Sequence, residues 1–347
     1  MERLACMEAC EELECQELNT GDGSMMAPEG VTMSGMTRRG FMQRAGVGTL
    51  AGLALARGAR LAAEPLGIPI GSQTYPSRQR IAAGQFPQLL KDLYGAGVRQ
   101  IELCSPGYAE FKSLADGKAT RQLIADAGLR CISSHVTLRE YRTALPQTLA
   151  WAHELGLTQI GTASLGGRMT DGRTTLEAVK TAAYEYNEIA ARVHEAGLQL
   201  FLHNEGFEDS VLDDGRLTYP VLLEYLDPAL VKMQFQMSGM TLVGDPAMYF
   251  RNYPGRFISA HLHGVDLNAV PERNLPLPRK RAAGAGRSAA AAPAGPVLAM
   301  GEDGVDWAKI FAAAKVGGME NYFIEQEQPN GGWEAMVKDI AFLKTLS

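Results

Sequence analysis

The sequence predicts an α/β fold in which eight parallel strands, each followed by a helix, close into a barrel. From Ile68 onward, short apolar runs alternate with amphipathic stretches, which is the pattern of consecutive βα units. Helix, glycine and strand recur at a spacing of about thirty residues, and eight such repeats match the usual size of a (β/α)8 barrel. A doubly wound open sheet is the alternative architecture. No Gly-x-Gly-x-x-Gly turn follows the first strand, so a nicotinamide or flavin fold gains no support.

Local patterns along the chain define the individual elements. The predicted strands are short apolar runs at residues 68–73, 100–104, 130–135, 159–162, 199–203, 232–236, 257–263 and 322–325. The clearest predicted helices lie between them, at residues 86–96, 120–127, 143–155, 175–196 and 307–315. Four of these helices end at a glycine that can take the left-handed cap before the next strand, namely Gly97, Gly128, Gly156 and Gly197.

The composition is that of a soluble globular protein with a large core. Of the 347 residues, 46% are hydrophobic and 21% are charged, and the formal net charge is -6. A mildly acidic chain lacks the basic face that nucleic-acid binders usually carry, so no nucleic-acid partner is expected. Of the five cysteines, only Cys104 and Cys131 lie in the part that is predicted to fold, and two thiols do not form a disulfide framework.

Two segments are predicted to precede the barrel. Residues 1–35 have neither periodicity nor a positive region, and we interpret them as a non-structural extension. In residues 36–63, Arg38 and Arg39 precede a Gly/Ala-rich apolar run at 45–56, which is typical of a twin-arginine export signal. That run is too short for a stable membrane span, which needs about 20 residues. We therefore expect the twin-arginine machinery to export the chain to the periplasm, with cleavage near residue 63.

One barrel is predicted over residues 64–347, with a single interruption. Residues 268–296, after the seventh strand, are a low-complexity segment with too little apolar surface to pack. We interpret this segment as a mobile loop over the barrel mouth that has no specific role.

Polar side chains collect at the C-terminal ends of the predicted strands, where barrels of this kind carry out their chemistry. The candidate residues are Gln73, Glu102, Cys104, Ser133, His135, Thr162, His203, Glu205, Gln234, Gln236, His261, His263, Glu325 and Glu327. Branched apolar side chains normally fill a barrel interior, so packing does not explain this polarity. Four strand ends carry metal-capable or proton-transferring side chains, which predicts one metal site at the mouth.

At these residues the chain resembles the sugar phosphate isomerase/epimerase superfamily, the barrels related to xylose isomerase, and in particular its exported twin-arginine members. The resemblance covers residues 67–346. Its most specific stretches are residues 227–236, 245–257, 261–263, 301–307 and 311–325.

The resemblance implies one divalent cation held by four side chains from strands five to eight, commonly Glu, Asp, His and Glu. The matching positions are His203, Gln236, His261 and Glu325, so histidine and glutamine replace two carboxylates. A hard ion such as magnesium should therefore bind weakly, and imidazole-rich ligation suits manganese, iron, cobalt or zinc better.

The resemblance also implies proton abstraction next to a sugar carbonyl, with the cation polarising that carbonyl. The candidate bases are Glu325, Glu205 and Glu102, and His135 is a further catalytic candidate. Glu102 lies within an apolar strand, where a partner such as His135 would offset the free energy of burying its carboxylate. Four further residues are expected to bind the substrate: Gln73, Asn204, Gln234 and His263.

Several functions fit these residues. An isomerase or epimerase acting on an unphosphorylated sugar is favoured, because phosphorylated metabolites are scarce in the periplasm and no phosphate cradle is visible. A lyase or hydratase acting on 3-keto glycosides would use the same chemistry. A non-catalytic sugar-binding barrel is the alternative of another class. A DNA-repair nuclease would need more metal ligands than the six histidines allow, and export contradicts it. The sequence is compatible with either a monomer or a homo-oligomer.

Overall fold

The computed structural model describes residues 64–165, 172–204, 208, 210–267, 298–327 and 332–346. The predicted N-terminal extension, the export signal, Glu205 and the low-complexity insertion lie outside the described residues. Among the helices that the structure describes, none is long and apolar enough to cross a membrane.

Eight parallel strands form a closed barrel in which every strand lies beside its neighbours in the sequence. They are β1 (Gly71–Gln73), β2 (Gln100–Cys104), β3 (Arg130–His135), β4 (Gln159–Thr162), β5 (Gln199–His203), β6 (Val231–Gln236), β7 (Phe257–Leu262) and β8 (Phe323–Ile324). Closure is seen where Gly71 pairs with Phe323 and Ser72 with Ile324. The predicted barrel is confirmed, and the open-sheet alternative is wrong because the first and last strands are paired.

Helices follow the strands and cover the outside of the barrel. They are α1 (Arg78–Ala82), α2 (Phe86–Ala96), α3 (Gly117–Asp126), α4 (Leu138–Thr143), α5 (Leu145–Leu155), α6 (Leu176–Glu195), α7 (Thr218–Tyr225), α8 (Met237–Val243), α9 (Pro246–Asn252), α10 (Trp307–Gly317) and α11 (Gly332–Leu343). A short two-stranded sheet pairs Arg173–Thr174 with Val211–Leu212. Gly97 ends α2 with a φ of 116°, a left-handed conformation that favours glycine, so the predicted cap is confirmed there.

The helix predicted at residues 143–155 is confirmed as α5, which begins at Leu145, and a separate helix, α4, precedes it. Thr137 and Glu140 form a capping box that starts α4 earlier in the chain. Ala144 then leaves the helical conformation with a φ of -145°, directly before α5, which has Pro146 in its first turn. Proline has no N–H to donate and is tolerated in the first turn of a helix but not in its interior, so Pro146 favours a new helix here over a continuation of α4.

Aromatic packing behind the barrel wall fixes the strands that carry the polar residues. Phe235 of β6 and Phe257 of β7 stack with ring centroids 4.1 Å apart, and both are fully buried. Phe250 of α9 meets Phe235 edge-on at 5.2 Å. Because side chains alternate along a strand, this outward anchoring turns Gln234 and Gln236 toward the barrel interior.

Two register shifts interrupt the regular pairing. Ile101 pairs with Cys131, but the next residue, Glu102, pairs with Ser133, so β3 has one extra residue there. In the same way Met233 pairs with Phe257, but Gln234 pairs with Ser259. Such bulges change which side chains face each other across two strands. Here each bulge places a serine opposite a buried polar side chain.

Candidate active site

The C-terminal ends of the strands bring the predicted residues together in one buried cluster. Its members are Glu102, His135, His203, Gln234, Gln236, His261 and Glu325, from β2, β3, β5, β6, β7 and the end of β8. Glu102 and His261 are 0% exposed, whereas His135, Gln236 and Glu325 are 6–7% exposed. The cluster therefore has a sealed lower layer and an upper layer that reaches the barrel mouth.

Glu102 is the centre of the lower layer. Its Oε1 accepts hydrogen bonds from Gln73 Nε2 at 3.2 Å and His261 Nε2 at 2.6 Å. Its Oε2 accepts from Ser133 Oγ at 2.6 Å and Gln234 Nε2 at 2.9 Å.

The charge of Glu102 is stabilised by its neighbours. Burial alone would raise the pKa of this carboxyl, but His135 and His261 outweigh burial and hold the pKa well below its usual range. His135 Nε2 lies 3.4 Å from Glu102 Oε1, as expected for a partner of this carboxylate.

His261 lies between two carboxylates. Its Nε2 faces Glu102, and its Nδ1 is 2.8 Å from Glu325 Oε2. Burial alone would lower the pKa of this imidazole, but Glu325 and Glu102 outweigh burial and raise the pKa to about 10. His261 is therefore an imidazolium in this arrangement. It can act as a metal ligand only after it gives up one of these protons.

His203 differs from His261, because no carboxylate among the described residues contacts its ring. Its Nδ1 lies 3.2 Å from the main-chain oxygen of Gln234, and its buried Nε2 has no hydrogen-bond partner among the described residues. Burial, with His261 and His135 nearby, lowers the pKa of His203 well below its usual range. The ring is neutral and has a lone pair on Nε2.

Gln236 and Glu325 form the upper layer. Gln236 Nε2 donates to Glu325 Oε2 at 3.0 Å, the same oxygen that contacts His261. The main-chain N–H of Gln236 donates to Asn204 Oδ1 at 2.8 Å. Burial raises the pKa of Glu325, but His261 outweighs burial, so the pKa is lowered and the carboxyl is ionised. Two carboxylates, of Glu102 and Glu325, then face the imidazolium of His261.

A divalent cation fits this cluster. Ring nitrogens of His135, His203 and His261 all lie within 4.8 Å of one another, and the rings of His203 and His261 are 4.4 Å apart. The unpartnered Nε2 of His203 is an orphaned acceptor of the kind that a cation satisfies, since ligating histidines must be deprotonated at the ligating nitrogen. Imidazole-rich donor sets suit zinc, iron or cobalt better than magnesium.

The residues expected to bind substrate differ in their remaining hydrogen-bonding capacity. Gln73 uses both ends of its amide, because its Nε2 donates to Glu102 and its Oε1 accepts from the main-chain N–H of Tyr75 at 2.7 Å. Asn204 Nδ2 is buried without a partner among the described residues. His263 is partly buried, and its Nδ1 lies 2.8 Å from the main-chain oxygen of Gly264. Gln234 makes its contacts inside the cluster.

Two serines take a larger part in the cluster than the sequence reasoning gave them. Ser133 donates to Glu102, and Ser259 Oγ accepts from Gln234 Nε2 at 3.0 Å. Ser259 was absent from the candidates. The alternation of Ser259 with His261 on one face of β7 was the available signal.

Several solved structures have the same fold as this chain. A sugar phosphate isomerase/epimerase from Parabacteroides distasonis has 22% sequence identity and a TM-score of 0.61, over 80% of this chain and 93% of that chain. An L-ribulose 3-epimerase has 14% identity and a TM-score of 0.58, over 80% and 94%. A xylose isomerase domain protein from Alicyclobacillus acidocaldarius has 12% identity and a TM-score of 0.52, over 75% and 94%. The chain folds as a xylose isomerase-like TIM barrel.

At these identities the likeness establishes the fold, and the predicted xylose isomerase-like TIM barrel is confirmed. No protein-family model matches the sequence, and no curated protein matches it either. The ligand set and the role of each residue in this xylose isomerase-like barrel stay predictions.

Proposed function

We propose that the chain is a divalent-cation-dependent sugar isomerase or epimerase that removes a proton from the carbon next to a sugar carbonyl. The proposal rests on two neighbouring groups at the barrel mouth. The bare Nε2 of His203 and the ionised carboxylate of Glu325 both belong to residues packed against His261 at the barrel mouth. A cation ligand beside a base is the arrangement that this reaction needs.

The residues proposed to hold the cation are His203, Gln236, His261 and Glu325. When bound there, a cation supplies Lewis-acid polarisation of the substrate carbonyl and stabilises the negative charge that develops on its oxygen. The ionised carboxylates of Glu102 and Glu325 favour a cation at this place. Manganese, iron, cobalt or zinc is proposed rather than magnesium, because only one of the four side chains is a carboxylate.

Glu325 is the proposed base. Its Oε2 is fixed by Gln236 and His261, whereas its Oε1 has no hydrogen-bond partner among the described residues. A carboxylate that is fixed at one oxygen can accept a proton at the other without reorienting. Glu102 has both oxygens filled by donors and is sealed from solvent, so we propose that it is the counter-ion of His261 rather than the base.

Asn204 is proposed to bind a substrate oxygen. Its Oδ1 is held by the main-chain N–H of Gln236, so the side chain is oriented and its unpartnered Nδ2 is a donor. A buried donor left unsatisfied costs about 1–3 kcal/mol, which a hydroxyl or carbonyl oxygen of a sugar would offset. We further propose export to the periplasm and an unphosphorylated substrate, on the strength of the twin arginines at the start of the chain.

Two measurements on the full chain test the proposal. Elemental analysis should find about one divalent cation per chain, as expected for one set of four ligands. Incubation with unphosphorylated keto sugars in deuterated water should place deuterium on the carbon next to the carbonyl. Glu325→Gln should lower the exchange rate at least about 100-fold, because general base catalysis contributes about 10²–10⁴.

Glu320→Gln is the matched control, because Glu320 lies just before β8 at the opposite end of the barrel. Its exchange rate should equal that of the wild type. A chain without bound cation, in which His261→Ala loses nothing, would instead be a non-catalytic sugar-binding barrel. Full exchange by Glu325→Gln would exclude Glu325 as the base. Elimination from a 3-keto glycoside, without exchange in a free keto sugar, would identify a lyase.

A further inference from the structure

Gln234 lies at the centre of the cluster and contacts three of its members and Ser259. Its Nε2 lies 2.9 Å from Glu102 Oε2 and 3.0 Å from Ser259 Oγ. Its Oε1 lies 2.8 Å from His135 Nε2, and its main-chain oxygen lies 3.2 Å from His203 Nδ1. The residue is 0% exposed. Both N–H groups and the carbonyl oxygen of its side chain are engaged inside the cluster, which points to a role in orienting its neighbours.

The orientation of the Gln234 amide follows from Glu102. Gln73 Nε2, His261 Nε2 and Ser133 Oγ all donate to the two oxygens of Glu102, so this carboxylate acts purely as an acceptor. Reversing the amide would place its carbonyl oxygen 2.9 Å from a carboxylate oxygen, where two acceptors repel. The NH₂ group of Gln234 therefore faces Glu102, and its carbonyl oxygen faces His135.

A proton position on His135 follows from this orientation. The carbonyl oxygen of Gln234 only accepts, so the 2.8 Å contact requires a proton on His135 Nε2. Glu102 Oε1, 3.4 Å from the same nitrogen, favours that proton as well. In the neutral ring the lone pair is then on Nδ1.

The main chain of Gln234 acts on His203 in the same way. A main-chain oxygen only accepts, so the proton of neutral His203 is on Nδ1 and the lone pair is on Nε2. This Nε2 is the buried nitrogen without a partner among the described residues. One residue of β6 thus faces two histidines, one through its side chain and the other through its backbone.

We propose that Gln234 is a positioning residue that sets opposite tautomers on His135 and His203, Nε2–H on the first and Nδ1–H on the second. The two lone pairs, His135 Nδ1 and His203 Nε2, are then the acceptors that the pair presents to a cation or a substrate. The tautomers stand independently of the proposed function, but their effect on cation affinity rests on it. Partners of this kind fix the ring and the tautomer of ligating histidines.

Nitrogen-15 NMR of the full chain, labelled at histidine and treated with a chelator, tests the tautomers. His135→Gln and His203→Gln assign the two pairs of ring signals. The wild type should show Nε2–H for His135 and Nδ1–H for His203. Gln234→Met should weaken the preference of His135 for Nε2–H, because only the longer contact with Glu102 then remains. The signals of His203 should stay unchanged, because the main-chain oxygen is still present.

Two NMR results overturn the proposal: Nδ1–H for His135 in the wild type, or the same His135 signals in Gln234→Met. General loosening of the barrel would change both histidines, so His203 is an internal control for a purely structural effect. If Gln234→Met does not fold, the wild-type spectrum still decides the tautomer of His135.

Titration of the chelated chain with Co²⁺ tests the consequence for the cation. With these tautomers, His135 Nδ1 joins the four proposed cation ligands, and Gln234→Met removes the partner that fixes this ring. Gln234→Met should therefore weaken Co²⁺ binding about 10–100-fold, the usual effect of removing a partner of a ligating histidine. Gln100→Met should bind Co²⁺ like the wild type, because Gln100 is an equally buried glutamine at the start of β2. Equal affinity in Gln234→Met and wild type overturns this part of the proposal. A wild type that binds no cation removes the proposed function and leaves the NMR result standing.

Discussion

The two ends of the barrel both bury polar side chains, but they do so with different chemistry. At the N-terminal end, Gln159 Nε2 donates to Glu320 Oε2 at 3.0 Å, and Asn321 Nδ2 donates to Gln159 Oε1 at 3.4 Å. These are mainly amides, and the one carboxylate belongs to an exposed residue. At the mouth, buried carboxylates face imidazoles. The buried charge at the N-terminal end, Arg256 directly before β7, donates to the main-chain oxygen of Leu226. Buried carboxylates paired with imidazoles, rather than buried polarity, therefore distinguish the candidate active site from the N-terminal end.

Removing one buried charge at the barrel mouth should have the largest effect on the free energy of unfolding. Glu102→Gln leaves His261 with one carboxylate instead of two and reverses one contact with Gln234. Breaking a buried ion pair costs about 3–5 kcal/mol, and we expect a loss of that size in the free energy of unfolding, measured with urea. Glu320→Gln, the same change at the other end, should stay within about 0.5 kcal/mol. Similar losses in the two variants would contradict the comparison.

Asp339 of α11 sharpens the comparison, because it is a buried carboxyl with no histidine, lysine or arginine bonded to it among the described residues. It accepts from the main-chain N–H of Met300 at 2.7 Å and from Gln326 Nε2 at 2.8 Å. Burial, with Asp303 and Glu302 nearby, raises the pKa of Asp339 to about 6. The folded chain therefore holds this proton at pH values where the unfolded chain has lost it.

Stability from Asp339 should be fully present below about pH 4 and should be lost as the pH rises to about 6, in total about 3 kcal/mol. Asp339→Asn lacks this contribution. The difference between the unfolding free energies of variant and wild type should shift in favour of the variant by that amount between about pH 4 and 7. Parallel stability curves would show that Asp339 titrates normally in the folded chain.

Gln100→Met should have a smaller effect than the changes at Glu102 and Asp339. Gln100 Nε2 is buried without a partner among the described residues, so replacing the amide with an apolar group of similar size removes an unsatisfied donor. We expect a change within about 1 kcal/mol, of either sign, in urea unfolding. A loss as large as that of Glu102→Gln would mean that the N-terminal end also depends on its polar residues.

The sequence predicted all eight strands and most of the cluster, because strand alternation and strand ends are local properties. Periodicity places Gln234 on the inward face of β6. The predicted strand begins at Lys232, one residue after the observed start at Val231. Contacts between inward-facing side chains, by contrast, depend on residues that are far apart in the sequence. Gln234 and Glu102 are 132 residues apart in the chain, and their contact depends on barrel closure. The sequence therefore named Glu102 as a base and Gln234 as a substrate ligand without the contacts that suggest other roles.

Ser259 shows a second reason for what was missed. Regular pairing would place Ile258 opposite Gln234, and only the bulge in β7 brings Ser259 there. A bulge of one residue leaves the apolar pattern of a strand almost unchanged, so periodicity alone does not reveal it.

The two bulges also set a condition for engineering. Glu102 faces Ser133, and Gln234 faces Ser259, only because β3 and β7 each have one extra residue. In a barrel with regular strands, the position of Ile132 would lie opposite Glu102, and the position of Ile258 would lie opposite Gln234. Transferring only the side chains of this mouth to such a barrel would therefore lose both serine contacts. A successful graft has to carry the backbone insertions together with the side chains.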